Sequence, residues 1–72
     1  MEQAHTPPAR LMRLREVLAQ TSLGRTAVYD RVRSGQFPRP VALTKTARAW
    51  RSDEIDAWIA QRCAERDAQA AA

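Results

Sequence analysis

Histidine and cysteine are almost missing from this chain: among 72 residues only His5 and Cys63 occur. One cysteine cannot close an intramolecular disulfide or build a cysteine-rich zinc site, and one histidine does not supply a histidine-based metal site. Long apolar runs are also missing. No stretch approaches the ~20 residues a membrane span requires, and the opening MEQAHTPPAR lacks the apolar centre of a signal peptide. Glycine occurs twice and proline four times, too rarely for a low-complexity chain. With 44% apolar residues in so short a chain, one small core can form, but not a deep pocket. The expectation is a single cytoplasmic domain that is not an enzyme, with no cofactor, no metal, no small-molecule ligand and no membrane contact.

Charge is what the chain does have. Of twelve basic residues eleven are arginine, set against eight acids, for a net charge of +4. The distribution is uneven. Residues 1–24 carry Arg10, Arg13 and Arg15 against Glu2 and Glu16. Residues 25–51 carry Arg25, Arg31, Arg33, Arg39, Lys45, Arg48 and Arg51 against Asp30 alone, whereas residues 52–72 carry Arg62 and Arg66 against five acids. A basic middle followed by an acidic end implies one side that faces a polyanion and another that does not.

Along the chain, residues 1–9 have no periodicity, and Pro7-Pro8 stops any helix there, so they are expected to form a mobile arm with His5 solvated. Leu14, Val17 and Leu18 stand at i, i+3, i+4, which predicts a short amphipathic helix over LREVLAQ, without a good N-cap residue. Leu11 and Met12 before it either pair as a brief strand or cover the core. Thr21-Ser22-Leu23-Gly24 reads as a turn with one apolar residue turned inward. A second helix is expected from Arg25 to Ser34, with Val28 and Val32 inward and Gly35 supplying the left-handed position that ends it. Two short helices across such a turn make a helix-turn-helix pattern.

Phe37-Pro38-Arg39-Pro40 must be extended. Val41 to Thr44 alternates as a half-buried strand does, and Arg48-Ala49-Trp50 can return beside it, with Lys45-Thr46-Ala47 as a loose tip that has no glycine. A third helix opens with Ser52 as N-cap and Asp53 and Glu54 in its first turn. Its inner stripe is Ile55, Trp58, Ile59 and then Arg62 or Cys63, with Cys63 at the edge of the core. The expected architecture is mainly α with a small β-hairpin, a winged helix-turn-helix over residues 10–65, followed by a fraying tail over 66–72.

Four ordered stretches then resemble the AlpA family of phage-derived regulators. They are Leu11 to Leu23, Arg25-Thr26-Ala27-Val28-Tyr29-Asp30-Arg31, Gly35-Gln36-Phe37-Pro38-Arg39-Pro40-Val41, and Trp50-Arg51 followed by Glu54-Ile55-Asp56-Ala57-Trp58-Ile59. The third is the most distinctive, similar to the family's G-x-F-P-x-P-V. The resemblance covers about residues 10–62 and implies a MerR-like, excisionase-related winged helix that binds DNA and switches genes of prophages or mobile elements. Gly24 departs from the family's usual capping serine, and Asp30 stands where a basic residue is common.

If Val28 and Val32 face inward, Thr26, Tyr29 or Asp30, and Arg33 share the outer side of the second helix. A recognition helix offers the major groove about four side chains of this kind. Arg25 and Arg33 can fork to guanine, and Thr26 can meet a thymine methyl or a phosphate oxygen. Tyr29 either bonds a phosphate or packs on the first helix. Asp30 either accepts from cytosine or, preferentially, pairs with a neighbouring arginine. Lys45, Thr46 and Arg48 on the wing are expected to hold backbone phosphate without reading sequence. Arg39 and Arg51 either touch phosphate or serve the fold, while Trp50 and Trp58 are core residues rather than base-stacking ones. The candidate DNA-binding set is Arg25, Thr26, Tyr29, Arg33, Lys45, Thr46 and Arg48. The leading reading is a sequence-specific regulator whose partner is double-stranded DNA at the nucleoid, with self-association on DNA as an option. The alternatives are an excisionase-type architectural factor on tandem sites, and a protein-interaction adaptor working through the acidic third helix.

Overall fold

A computed structural model describes residues 9–71. In chain order the elements are β1 (Leu11–Met12), α1 (Leu14–Thr21), α2 (Arg25–Arg33), β2 (Val41–Ala42), β3 (Arg48–Arg51) and α3 (Ser52–Ala71). The expected arm, apart from Ala9, lies outside the described residues, His5 included. The three strands form an antiparallel sheet of order β1-β3-β2, with Leu11 opposite Arg51, Met12 opposite Trp50, and Val41 opposite Ala49. A mainly helical winged helix-turn-helix is what results. Leu11-Met12 fulfils both of its options, since it pairs with β3 while Met12 is buried.

Each helix end has a local cause. Arg13 is extended at the start of α1, and the missing N-cap side chain is replaced from inside the helix: Glu16 Oε1 accepts the Arg13 backbone N–H at 3.0 Å. At the other end Ser22 adopts a left-handed conformation, φ 64°, and donates its N–H to the Leu18 carbonyl at 2.8 Å. The Thr21 hydroxyl donates to Val17 O at 2.8 Å and accepts the Leu23 N–H at 3.3 Å, which fixes the turn toward α2. Gly35, φ 79°, closes α2 as expected: its N–H reaches Val32 O at 3.2 Å, and the Gln36 N–H reaches Arg31 O at 2.8 Å. That pair of bonds is a Schellman motif.

The buried core is Met12, Val17, Val28, Phe37, Ala49, Trp50 and Ile55, with Leu14, Leu18, Leu23, Tyr29, Val32, Trp58 and Ile59 packed half-buried around it. Both tryptophans fasten the extended link between α2 and β2. Trp50 Nε1 donates to Pro38 O at 2.9 Å and Trp58 Nε1 to Gln36 O at 2.9 Å, with the Phe37 ring edge-on to Trp58 at 5.0 Å. A link tied at both ends sets where the wing stands relative to α2.

Three expectations need correction. The strand expected over 41–44 is only Val41–Ala42, and it is exposed on both residues, because it is an edge strand without a layer over it. Ser52 does not act as a simple N-cap. Its hydroxyl accepts the Arg10 backbone N–H at 2.9 Å, and its own N–H donates to Arg10 O at 2.8 Å, so it ties the start of α3 to the chain before β1. Cys63 is exposed rather than at the core edge. Beyond Ile59 every described residue of α3 is exposed as far as Ala70, so the helix continues past the core, through the segment expected as a tail, to Ala71. No described helix is long and apolar enough to cross a membrane.

Candidate nucleic-acid interface

α2 is nine residues, roughly 13 Å at the α-helical rise, and packs on the core through Val28 with Val32 and Tyr29 beside it. That seating leaves Arg25, Thr26, Asp30 and Arg33 on the solvent side. Arg33 is tied to Asp30 one turn back, in an exposed pair. The preferred option for Asp30, a partner arginine, is therefore the one adopted. Exposed i,i+3 pairs are weak, so this one holds Arg33 loosely.

The wing has order without glycine. Thr44 Oγ1 accepts the backbone N–H of Thr46 at 3.2 Å and of Ala47 at 3.0 Å, and Leu43 N–H donates to Ala47 O at 2.9 Å. Arg48 lays its guanidinium back over the tip, donating to Thr44 O at 3.1 Å and more distantly to Ala47 O. Both acceptors are neutral, so the charge of Arg48 is uncompensated. Lys45 and Thr46 are exposed at the tip.

Tyr29, Thr46 and Arg48 come together in one cleft of about 530 Å³, whose remaining wall is the first turn of α1, Arg13 to Glu16, with Trp50 at its base. Tyr29 packs on Trp50, ring centroids 6.1 Å apart, and shares the cleft with Leu14 and Arg15 of α1. Arg25, Thr26, Arg33 and Lys45 do not line this cleft. They lie on the exposed outer side of α2 and at the wing tip.

Arg13 and Arg15 line the cleft and do not belong to the set expected from sequence. Their surplus charge is visible in the sequence, but only the antiparallel sheet brings the start of α1 against the wing. The one acid in the cleft, Glu16, is already engaged. The Arg13 N–H, and then the Arg10 guanidinium at 3.1 Å, hold its carboxyl below the ordinary carboxylate range.

Of the residues left open, Arg51 and the two tryptophans are engaged within the fold, and Arg39 is not. Arg51 binds Asp53 through Nε at 3.1 Å and Nη2 at 2.8 Å. This fork raises the Arg51 pKa above its already high ordinary value and lowers that of Asp53. Trp50 is fully buried and Trp58 is half-buried beneath the Arg62 guanidinium, 5.2 Å from its ring centre, so neither offers a face for a base. Arg39 is exposed and has no hydrogen-bond partner among the described residues. Among those residues no group of three or more histidine, cysteine or acidic side chains is gathered for a metal.

Residues 10–63 match the family described as prophage CP4-57 regulatory protein (AlpA). An uncharacterized protein of Enterobacteria phage P4 is 39% identical over 57 residues, 79% of this chain and 65% of that protein, so this chain spans somewhat under two thirds of that relative's length. The DNA-binding transcriptional activator AlpA of Escherichia coli K12 is 32% identical over 60 residues, 75% of this chain and 86% of that protein. No solved structure matches the chain significantly.

Proposed function

The chain belongs to the family of the prophage regulatory protein AlpA, and from that membership we propose that it is a sequence-specific DNA-binding regulator of a prophage or mobile element. In this reading α2 enters the major groove, which is about 12 Å wide and takes one helix. Arg25, Thr26 and Arg33 read base edges from its outer side, while Lys45, Thr46 and Arg48 hold the phosphates beside it. The observation that carries the reading is the segregation of free cations. Arg25, Lys45 and Arg48 have no carboxylate partner among the described residues and Arg33 has only a weak exposed one, Asp30, whereas Arg51, Arg62 and Arg66 each have one. Unpaired arginines beside an exposed helix are what a polyanion neutralises.

The test is a binding titration of the whole chain on duplex DNA at several salt concentrations. With about four to six phosphates engaged, log K falls with log salt at a slope near −4 to −5. A flat line sinks the reading and turns attention to the exposed distal half of α3 as a protein-binding surface. Footprinting on the DNA around the gene then sorts the finer roles: one compact operator fits a regulator, and tandem sites beside an integrase attachment site fit an architectural factor of the excisionase type.

A further inference from the structure

We infer that the first turn of α1 and the wing together form a phosphate clamp, in which Arg13 and Arg15 grip the DNA backbone from one side and Arg48 with Thr46 from the other. The inference rests on the DNA-binding reading above and adds to its α2 and wing contacts a surface at the start of α1. It comes from the arrangement of charge in the cleft. The wall contributed by α1 carries Arg13 and Arg15, the opposite wall carries Arg48 and the Thr46 hydroxyl, and Tyr29 and Trp50 close the bottom.

Neither Arg13 nor Arg15 has a carboxylate partner among the described residues, and Arg48 donates only to carbonyls. The carboxylate of Glu16 is engaged by the Arg13 N–H and Arg10, so it offsets little of that surplus. A gap lined by three guanidiniums and a hydroxyl suits a tetrahedral, singly charged phosphodiester. Arginine binds such a group through paired donors, and a hydroxyl can donate to a remaining oxygen.

The position adds a reason. The cleft runs between the wing and the start of α1, and Tyr29 of α2 reaches into it. A backbone held there fixes the register of α2 in the adjacent groove. Arg13 and Arg15 are then positioning residues that supply affinity and orientation without reading a base.

The experiment uses the whole chain and a random-sequence duplex of about two helical turns (~20 base pairs), titrated across salt. The Arg13→Gln/Arg15→Gln double variant is compared with Arg62→Gln/Arg66→Gln, which removes the same charge from α3. The helix start survives in the first, because Glu16 caps the Arg13 backbone rather than its side chain. The expected result is a slope shallower by about one to two for the first variant, since each phosphate no longer neutralised takes roughly 0.9 from the slope, and a smaller change for the second. A fall of less than about one, or an equal fall in the α3 variant, overturns the clamp. If circular dichroism shows the double variant unfolded, Arg15→Gln alone is titrated, and a fall under about half a unit overturns it. A wild-type chain without a salt slope refutes the DNA-binding reading itself, which separates the two failures.

Discussion

Arginine has two opposite situations in this protein. From the last residue of β3 onward, Arg51 forks onto Asp53, Arg62 meets Glu65 at 2.6 Å, and Arg66 meets Asp67 at 2.7 Å. On the side formed by α1, α2 and the wing, Arg13, Arg15, Arg25, Lys45 and Arg48 have no acidic partner among the described residues, while Arg33 is paired with Asp30 and Arg10 with Glu16. The same side chain is therefore neutralised at the back and mostly left free at the front. Net charge alone does not distinguish these cases, since a chain of +4 could spread it evenly. Exposed pairs contribute little to stability, so the pairing of the back is better understood as silencing its field than as holding the fold. The front keeps a field that a polyanion can use.

The largest expected effect tests whether the two regions share one core. Trp50 belongs to the sheet of the front, is fully buried, and holds Pro38; Trp58 belongs to α3, is half-buried, and holds Gln36. Trp50→Ala is expected to cost about 3–5 kcal/mol, more than so small a domain can lose, and circular dichroism should show an unfolded chain. Trp58→Ala removes less buried surface and should cost roughly 1–3 kcal/mol, leaving a folded population with a lowered thermal midpoint. The reverse order would mean that α3, not the sheet, organises the core.

A smaller effect sharpens the division of the front into reading and holding. Arg25→Ala or Arg33→Ala should shrink the ratio of operator to scrambled-duplex affinity, by about 1–3 kcal/mol for a bidentate base contact. Lys45→Ala or Arg48→Ala should weaken both duplexes alike and leave that ratio nearly intact, with the salt slope reduced by about one. Paired titrations at one salt concentration decide it. Wing variants that lose selectivity while the α2 variants keep it would invert the docking.

Much of the fold is legible in the sequence because local rules decide it. The spacing of Leu14, Val17 and Leu18, the turn at 21–24, Gly35 at the end of α2 and the apolar stripe of Ile55, Trp58 and Ile59 are short-range signals, and the structure follows them. What is not legible requires chain segments distant in sequence. The hydroxyl of Ser52 has the look of a local cap but is taken by Arg10, 42 residues away. Cys63 falls on the right stripe of α3, but the core ends a turn earlier, so periodicity names a face that nothing covers. Phe37, between Gln36 and Pro38, carries no periodic signal and is buried. Arg13 and Arg15 belong to a first helix whose pattern announces only its core face. Their approach to the wing depends on β1 pairing with β3, a tertiary register that two residues of strand do not announce.

The smallest expected effect sets one carboxylate of each region against the other. Glu16 at the front is held below the ordinary range by the Arg13 N–H and then by Arg10, and Asp53 at the back by the fork from Arg51. A carboxyl whose folded pKa is depressed contributes stability above its unfolded value, and that contribution is lost as pH falls through the folded value. Wild-type stability should therefore decline below about pH 4–5, and Glu16→Gln and Asp53→Asn should each flatten that decline slightly in thermal melts taken across pH. The two should separate on DNA. Glu16 lines the cleft, so Glu16→Gln removes a negative charge where a phosphate is expected and should tighten binding to random duplex modestly. Asp53→Asn frees Arg51 on the opposite flank of the sheet strand and should change that affinity less. Equal gains from both variants would mean that DNA senses only the total charge of the chain, and the contrast between a silenced back and an active front would fail.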